Sequence, residues 1–448
     1  MRGMNSNSVD LIYLDPPFNS KADYSAPIGS KAAGAEFKDT WTLKDVDIAW
    51  LDLLEAKQPV LNRVIHAAMN NSDKSYLIYM AVRLLEMHRI LKSTGSIYLH
   101  CDPTMSHYLK LVMDAIFGKR NFRNEIIWKR TPSSAKGSQY HFKTWGANTD
   151  TILFYTNTDK YKLLPLREMT KAEKLEKFPK IDINGRRYNT TTPVFCAKSM
   201  GNRPNLCYEW RGFRNPHPSG WRLSKKRLEE EYQKGNIVID GASIERRAYE
   251  EAYKGVPVGN LWIESDLQLG SQNRERTGYP TQKPLKLLER IIKASSNEGD
   301  VVFDPFCGCA TTLVAADRLN RNWVGIDLSP KAVELVINRI KNDQGLFQQI
   351  IPRRDIPRRT DVVILRLYNS LDNKKLLYGE QGGDCNGCGE HFEMHHLEVD
   401  HIIARSQGGT DHIENLQLLC SSCNRIKGNR GQEYLLAKLE GREVAYAS

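Results

Sequence analysis

Apolar residues along this chain recur in two patterns, short continuous runs and longer stretches with helical spacing. The runs at 9–18, which ends in a turn, and at 96–100 predict buried strands. The stretches at 76–91 and 106–117 place apolar residues three or four positions apart, which predicts helices. Because the predicted strands and helices alternate, we expect a doubly wound α/β fold.

The same alternation returns in the last third of the chain. The runs at 301–304 and 323–327 predict strands, and 311–319 predicts the helix between them. A further helix is expected to begin at Thr281, whose side chain can act as the N-cap. Residues 160–270 are irregular, so we expect an insert between two parts of one α/β domain.

Composition indicates a folded protein with a polyanionic partner. The 448 residues are 40% hydrophobic and 26% charged, which is ordinary for a globular chain of two or three domains. The net charge of +11 favours nucleic acid as the partner. The sequence contains no run of about 18 apolar residues, and its start lacks the apolar core of a secretion signal. We therefore expect a cytoplasmic protein.

Shifts in composition divide the chain into five expected segments. Residues 1–159 and 271–345 hold the α/β pattern, and 160–270 form the insert. Residues 346–369 form a basic, proline-containing linker. Residues 370–448 form a small module rich in cysteine and histidine.

The insert combines cations with aromatic residues. Arg211, Arg214 and Lys225 belong to its basic clusters, and Trp210 and Trp221 lie among them. This mixture suits contacts to DNA phosphates together with stacking on bases. The alternative is a solvated lid with a small satellite core.

Candidate chemistry begins where the first strand ends, at Asp15-Pro16-Pro17-Phe18. The Asp15 carboxylate and the Pro16 carbonyl can each accept one hydrogen of an exocyclic amine, and Phe18 can stack on a base rotated out of a duplex. Such an amine is a poor nucleophile because its lone pair is delocalised into the ring, and these contacts favour a pyramidal nitrogen. The alternative is a simple turn at the end of a strand.

A second candidate site is the loop after the strand at 301–304. The sequence DPFCG at 304–308 leads into a helix, which is where a doubly wound sheet binds a nucleotide-like ligand. Gly308 lets the backbone approach such a ligand closely. Asp327 ends the next strand, 19 residues after Gly308, where a carboxylate can accept both ribose hydroxyls. The loop has one glycine, which disfavours a dinucleotide cofactor.

These motifs, in this order and with the insert between them, resemble the β-group of DNA amino-methyltransferases over residues 9–342. The run at 15–18 is similar to the family's D-P-P-F/Y motif, the run at 304–312 to its D-P-F-x-G-x-G-T-T loop, and the run at 279–284 to its P-T-Q-K-P motif. The resemblance implies a Rossmann-like sheet with S-adenosylmethionine (AdoMet) as the methyl donor. It also implies double-stranded DNA as the substrate, with adenine N6 favoured and cytosine N4 second.

The resemblance assigns two groups of site residues. The catalytic group is Asp15, Pro16, Pro17 and Phe18. The residues that would bind AdoMet are Thr281, Gln282, Lys283, Asp304, Pro305, Phe306, Gly308, Thr311 and Asp327.

Two departures from the family pattern lead to further expectations. Ala310 takes the place of the loop's second glycine, which we expect to narrow the donor pocket. Family members carry a strand and a Gly-Asp motif ahead of the catalytic strand, whereas only fourteen residues precede Asp15 here. We therefore expect a shortened start, with the adenine end of AdoMet short of a contact and one sheet edge unpaired.

Two C-x-x-C pairs fall within the last 64 residues, and they account for four of the chain's nine cysteines. An odd total with uneven spacing does not fit a disulfide scaffold, whereas four thiolates are a set that structural zinc prefers. These cysteines are Cys385, Cys388, Cys420 and Cys423. A zinc-only DNA-binding finger gives no reason for Asp400, His401 and Asn424 to lie beside them.

Residues 380–430 resemble the HNH nuclease family, which has a ββα-metal fold. Asp-His, Glu-Asn-Leu and Cys-Asn-Arg follow one another in the family's order. By that resemblance, His401 is the general base that activates a water molecule. Asp400 and Asn424 would hold Mg²⁺ or a similar ion, and Asn415 would orient the loop that carries His401.

Together these features favour a DNA amino-methyltransferase joined to an HNH endonuclease, with a role in restriction–modification. Two alternatives stay open. One is a DNA-binding protein whose methyltransferase part is inactive because of its short start. The other is an orphan methyltransferase that uses the zinc module only to grip DNA.

Overall fold

The computed structural model describes residues 1–441, except for 22, 27–29, 31, 33–35, 43–46, 48–49, 52–53, 56, 132–144, 146, 165, 170, 192, 270–274, 345–349, 354–355 and 363–365. Part of the expected linker, residues 354–355 and 363–365, therefore lies outside the described residues. The chain divides into two compact units, Met1–Leu164 with Asn260–Ser448, and Pro165–Gly259.

The first unit is built on a seven-stranded sheet. Its strands are β1 (Val9–Leu14), β2 (Leu91–Cys101), β3 (Phe122–Lys129), β4 (Thr149–Thr156), β5 (Leu261–Trp262), β6 (Val301–Asp304) and β7 (Asn322–Gly325). They lie in the order β5-β3-β4-β2-β1-β6-β7. The neighbours of β4 are antiparallel to it, and the remaining pairs are parallel. The expected α/β fold is confirmed.

Helices connect the strands of this sheet. They are α1 (Pro59–His66), α2 (Asn71–Ile90), α3 (Ser106–Met113), α4 (Leu285–Ser295), α5 (Thr311–Arg318) and α6 (Pro330–Gln344). A small hairpin pairs Asp23–Ser25 with Glu36–Lys38. Within the described ranges, no helix combines the length and the apolar composition needed to cross a bilayer.

The start expected for the fourth helix is wrong. The helix α4 begins at Leu285, with Pro284 rather than Thr281 at the N-cap. Thr281 adopts a φ of 61°, in the left-handed region, whereas an N-cap residue usually has an extended backbone. Pro280 and Thr281 form a turn, and three residues separate it from α4.

The strand β1 lies in the middle of the sheet with parallel neighbours on both sides. All six of its residues are buried, and Leu11 pairs with Val302 of β6. A strand that is covered on both faces must be apolar almost throughout, which explains why it reads as a continuous run. Because β1, β6 and β7 are parallel, their carboxyl ends lie at the same edge of the sheet. The strand β7 is the last on its side within the described part of the chain.

The C-terminal part of the first unit forms a ββα module. Its elements are α7 (Leu371–Gln381), β8 (Leu397–His401), β9 (Leu416–Cys420), α8 (Ser421–Lys427) and α9 (Gln432–Leu439). The two strands are antiparallel, with His401 paired to Leu416. This arrangement agrees with the ββα-metal fold that the resemblance implied.

Within its described residues, the second unit contains short strands and two α-helices. They are the strands Arg167–Glu168, Lys180–Ile181, Arg187–Asn189, Ile237–Asp240, Ser243–Arg246, Ala248–Tyr249 and Val256–Pro257, and the helices Lys171–Lys177 and Lys225–Gln233. Trp210 and Trp221 are 4% and 0% exposed and pack in a small core. A ring without an exposed face cannot stack on a base, so the satellite-core alternative holds for both. Arg214 and Lys225 remain exposed.

Ala310 lies at the start of α5 with a φ of 68° and is fully buried. The left-handed region costs a residue with a Cβ about 1–2 kcal/mol, whereas glycine adopts it readily. We predict that Ala310→Gly raises the free energy of unfolding by up to about 1 kcal/mol, because the greater entropy of glycine in the unfolded chain offsets part of the gain.

Urea unfolding followed by circular dichroism measures this difference. The matched control is Ala316→Gly within α5, where the same change should lower the free energy of unfolding by about 1 kcal/mol. Equal losses in the two variants would show that the backbone at Ala310 is not strained.

Candidate active sites

A cleft of about 1010 Å³ opens where β1, β6 and β7 end. The two motifs meet there although Asp15 and Asp304 are 289 residues apart. The residues assigned from the sequence that line the cleft are Asp15, Pro16, Pro17, Phe18, Thr281, Gln282, Lys283, Asp304, Pro305, Phe306, Gly308, Thr311 and Asp327. Ala310 is buried away from the cleft, so the expectation that it narrows the pocket is wrong.

The Asp15 carboxylate directly follows β1. Its Oδ2 forms an ion pair with the Lys283 ammonium. Its Oδ1 is buried and accepts no hydrogen bond from any residue that the structure describes. A buried polar atom without a partner is costly. Oδ1 is therefore available to accept a hydrogen bond from a ligand.

Phe18 forms one wall of the cleft, next to Asp15. Its ring stacks on the buried His100 imidazole, with centroids 5.8 Å apart and planes inclined at 22°. Its backbone N–H donates to Asp39 Oδ2 at 3.1 Å. The Lys283 ammonium lies 5.5 Å from the ring centroid. The ring is thus in contact with His100 on its buried face, and the Lys283 ammonium lies near it in the cleft.

A buried polar network includes His100, the residue on which Phe18 stacks. It was not predicted from the sequence. The Tyr13 hydroxyl lies 2.9 Å from His100 Nδ1, and His100 Nε2 lies 3.1 Å from Asp150 Oδ2. Burial alone would raise the pKa of Asp150, but the hydrogen bond and charge of His100 hold that pKa below its ordinary value. The available signal was a histidine and an aspartate next to the short apolar runs at 97–99 in β2 and 152–155 in β4.

Asp304 and Asp327 follow the neighbouring strands β6 and β7. Burial raises the pKa of Asp304 to about 7, although its carboxylate accepts the Phe306 N–H at 3.0 Å. Asp327 Oδ2 accepts the Gly308 N–H at 2.9 Å. A Cβ at Gly308 would lie 2.9 Å from the Tyr279 ring, so the glycine permits this close packing. Asp327 therefore fixes the loop and also faces the cleft.

Gln282 anchors the segment that carries Lys283. Its Oε1 accepts the backbone N–H and the hydroxyl of Thr277, both at 2.8 Å, and its Nε2 donates to the Glu275 carbonyl at 2.9 Å. This side chain holds its own turn together. The Lys283 backbone is consequently fixed opposite Asp15, between this clamp and the start of α4.

The four cysteines come together in the ββα module. Their Sγ atoms all lie within 4.8 Å of one another. The Cys420 N–H donates to Cys385 Sγ at 3.2 Å, and the Cys423 N–H donates to Cys420 Sγ at 3.4 Å. Such hydrogen bonds stabilise thiolates, which are the ligands of structural zinc. The remaining member, Cys388, is exposed.

His401 ends β8 and is oriented by a residue that the sequence did not reveal. Its Nε2 lies 2.9 Å from Asp411 Oδ1, and Arg405 pairs with the same carboxylate. Hydrogen bonds from Arg405 and then His401 lower the pKa of Asp411. An ionised carboxylate at Nε2 keeps the proton on that nitrogen, which leaves Nδ1 as the basic atom.

Asp400 and Asn424, expected to share a metal ion, have separate partners. Asp400 Oδ2 lies 3.0 Å from the Nζ of Lys427, which is fully buried and also donates to the His401 carbonyl at 2.7 Å. Asn424 Nδ2 donates to Glu398 Oε2 at 2.6 Å. Glu398 and Asp400 are two positions apart on β8 and so project from the same face.

Asn415 holds the loop after His401 in place by hydrogen bonds. Its Oδ1 accepts the Ile403 N–H at 2.9 Å, and its Nδ2 donates to the carbonyls of Ile403 and Thr410. The orienting role that the HNH resemblance implied stays a prediction for Asn415. It contacts the loop and not the His401 ring.

Burial of Asp304 gives the stability of the protein a defined pH dependence. The pKa rises from 3.8 to about 7 on folding, so the folded state binds more protons than the unfolded state between those values. We predict that the stability contributed by protonated Asp304 is lost as pH rises through about 7, with a slope of up to about 1.4 kcal/mol per pH unit. Asp304→Asn should abolish this slope.

Urea unfolding from about pH 5 to about pH 8 tests this behaviour. The matched control is Asp159→Asn at an exposed position, which should keep the slope of the unsubstituted protein. A parallel pH profile for Asp304→Asn and the unsubstituted protein would contradict a raised Asp304 pKa.

Comparison with known proteins places the chain among enzymes that modify DNA. The DNA methylase family model matches residues 9–338, and the HNH endonuclease model matches residues 385–430. The type II methyltransferase M.EcaI of Enterobacter cloacae is 32% identical over 270 residues, which are 60% of this chain and 58% of that protein. The Mod subunit of the type III restriction-modification enzyme StyLTI of Salmonella typhimurium is 27% identical over 333 residues, 70% of this chain and 47% of that protein.

The chain thus spans about half to three-fifths of the length of these two curated relatives. Among solved structures, the M1.HpyAVI–SAM complex aligns with 74% of this chain and 89% of that chain, at 14% identity and a TM-score of 0.34.

Proposed function

The chain belongs to the DNA methylase family and carries an HNH endonuclease domain, and on this premise we propose that it methylates an exocyclic amino group of double-stranded DNA. Adenine N6 is the favoured acceptor and cytosine N4 the second. The observation that carries this proposal is the buried Asp15 Oδ1, which lacks a partner among the described residues and lies beside Phe18.

In the proposed mechanism, the residues at 15–18 prepare the acceptor. Asp15 Oδ1 accepts one amino hydrogen and the Pro16 carbonyl accepts the other, so the nitrogen becomes pyramidal and its lone pair points away from the ring. Phe18 supports the flipped base by stacking. As the nitrogen gains the methyl group it must lose one proton, and Asp15 is placed to take it.

The cleft residues fit AdoMet, which supplies an electrophilic methyl group when bound. We assign the ribose hydroxyls to Asp327, since a carboxylate oxygen that accepts one backbone N–H retains a second lone pair. We assign the donor's ammonium to Asp304, because a nearby cation favours the charged form of a buried carboxylate. Gly308 leaves room for the donor at the loop.

The decisive experiment is transfer of a labelled methyl group from AdoMet to DNA, followed by sequencing of the modified base. We predict that Asp15→Ala lowers the rate at saturating AdoMet by at least about 100-fold, because the acceptor loses its base. Calorimetric titration should show that the variant still binds AdoMet.

The matched control is Asp159→Ala, an exposed aspartate that follows β4. Since β4 runs antiparallel to β2, this residue lies at the opposite edge of the sheet from the cleft. Absence of transfer by the unsubstituted protein, or full activity of Asp15→Ala, would overturn the proposal.

We further propose that the ββα module cleaves the DNA backbone. His401 Nδ1 takes a proton from a water molecule, the water oxygen attacks phosphorus, and the bond to the leaving oxygen breaks. Asp411 holds His401 at Nε2 throughout. Zinc on the four thiolates would maintain the module's shape.

Asp400 and Asn424 supply oxygen donors of the kind that Mg²⁺ prefers. The Asp400 carboxylate keeps Oδ1 for a metal while Lys427 and Gln417 hold Oδ2. The Asn424 amide keeps its carbonyl oxygen while its Nδ2 is bonded to Glu398. A divalent ion there, when bound, would stabilise charge on the phosphate and the leaving oxygen.

Conversion of supercoiled plasmid to nicked or linear forms with Mg²⁺ tests the nuclease proposal. We predict a loss of about 100-fold or more for His401→Ala and of about 10- to 100-fold for Asp411→Asn. The matched control is His395→Ala, which removes an exposed histidine of the same module. Undiminished cleavage by His401→Ala would exclude His401 as the base.

The same assay addresses restriction–modification. Plasmid first methylated by the protein should resist cleavage, whereas unmodified plasmid should be cut. Equal cleavage of the two plasmids would show that methylation does not protect DNA from this cleavage, and the restriction–modification role would be wrong.

A further inference from the structure

Lys283 lies at the stacking position on Phe18 and holds one of the two carboxylate oxygens of Asp15, Oδ2, while Oδ1 has no partner among the described residues. Its ammonium pairs with Asp15 and lies 5.5 Å from the centre of the Phe18 ring. Lys283 and Phe18 line the cleft, whereas His100, which stacks on the ring, does not. The ammonium therefore approaches Phe18 from the side where a flipped base would stack.

The pair formed by Asp15 and Lys283 is largely shielded from water. The exposed fractions of the two side chains are 16% and 9%. A neutral base that displaced the ammonium from the Phe18 face and from Asp15 Oδ2 would leave a nearly buried cation without its counter-ion, which is strongly unfavourable. Entry of the base therefore requires a second anion for Lys283.

The backbone around Lys283 is fixed, but its side chain is free to change partner. Gln282 is hydrogen-bonded to Thr277 and Glu275, and Pro284 is the N-cap of α4. Lysine carries its charge on a flexible four-carbon stem. A swing of the ammonium from Asp15 to another anion within the cleft therefore requires no rearrangement of the fold.

We propose that Lys283 is a placeholder for the target base, and that the α-carboxylate of the methyl donor releases it. The proposal rests on the function proposed above. When the donor binds, Lys283 exchanges its ion pair with Asp15 for one with the donor carboxylate. The open face of Phe18 then becomes accessible, and a base stacked there can reach Asp15 Oδ1, so the cleft accepts a base only when the methyl donor is bound.

The test uses a duplex with a fluorescent base analogue at the methylated position, whose emission rises when the base leaves the stack. Two ligands differ only in the carboxylate, S-adenosylhomocysteine and its decarboxylated amine. We expect saturating S-adenosylhomocysteine to raise the equilibrium constant for base flipping at least about fivefold, as for a typical coupling between sites. The decarboxylated ligand should leave it unchanged.

Lys283→Met provides the second arm of the test. Without the placeholder, flipping should be as favourable in the absence of ligand as it is with S-adenosylhomocysteine in the unsubstituted protein, and the two ligands should act alike. The matched control is Lys286→Met, which removes an exposed lysine that pairs with Glu289, and should preserve the difference between the ligands.

Equal effects of the two ligands on the unsubstituted protein would overturn the placeholder role, and this comparison needs no variant. Retention of the ligand difference in Lys283→Met would overturn it as well. If labelled methyl transfer occurs without this coupling, only the placeholder proposal fails. If no methyl transfer occurs at all, the proposed function fails first.

Discussion

Parallel pairing between β1 and β6 is the constraint on which the cleft depends. The register that sets Leu11 against Val302 and Ile12 against Phe303 brings Asp15 and Asp304 to one edge of the sheet. A slip of one residue would turn every side chain of β1 to the other face and carry Asp15 away from the cleft. The charged groups are thus positioned by buried apolar strands, which can move little without disrupting the core.

Site residues could be predicted from the sequence where a single strand determines the position of the side chain that follows it. A continuous apolar run that ends in Asp15 identifies both the strand and the carboxylate, and the same holds for Asp304. The sequence was uninformative where a side chain takes its role from a distant partner. His100 and Asp411 become significant only through Phe18 and His401, to which tertiary structure brings them. The left-handed backbone at Thr281 could not be predicted from the local sequence either, because threonine is a common N-cap residue.

The methylase part and the ββα module hold their charged groups in place by different means. In the sheet, the buried strands β1 and β6 fix the carboxylates at their ends. The ββα module has a much smaller core, and hydrogen bonds position its reactive groups instead. Lys427 shows this clearly, because one fully buried ammonium joins Asp400 to the His401 backbone. Two neighbouring residues of β8 are therefore fixed by a single charge.

The cysteine cluster has a consequence for the order in which the two proposed activities would fail. It is the one candidate metal cluster of histidine, cysteine and acidic residues among the described residues, and it belongs wholly to the nuclease module. A cell short of zinc would lose the shape of that module while the cleft at β1 and β6 kept its own. Of the two proposed activities, methylation would then outlast cleavage.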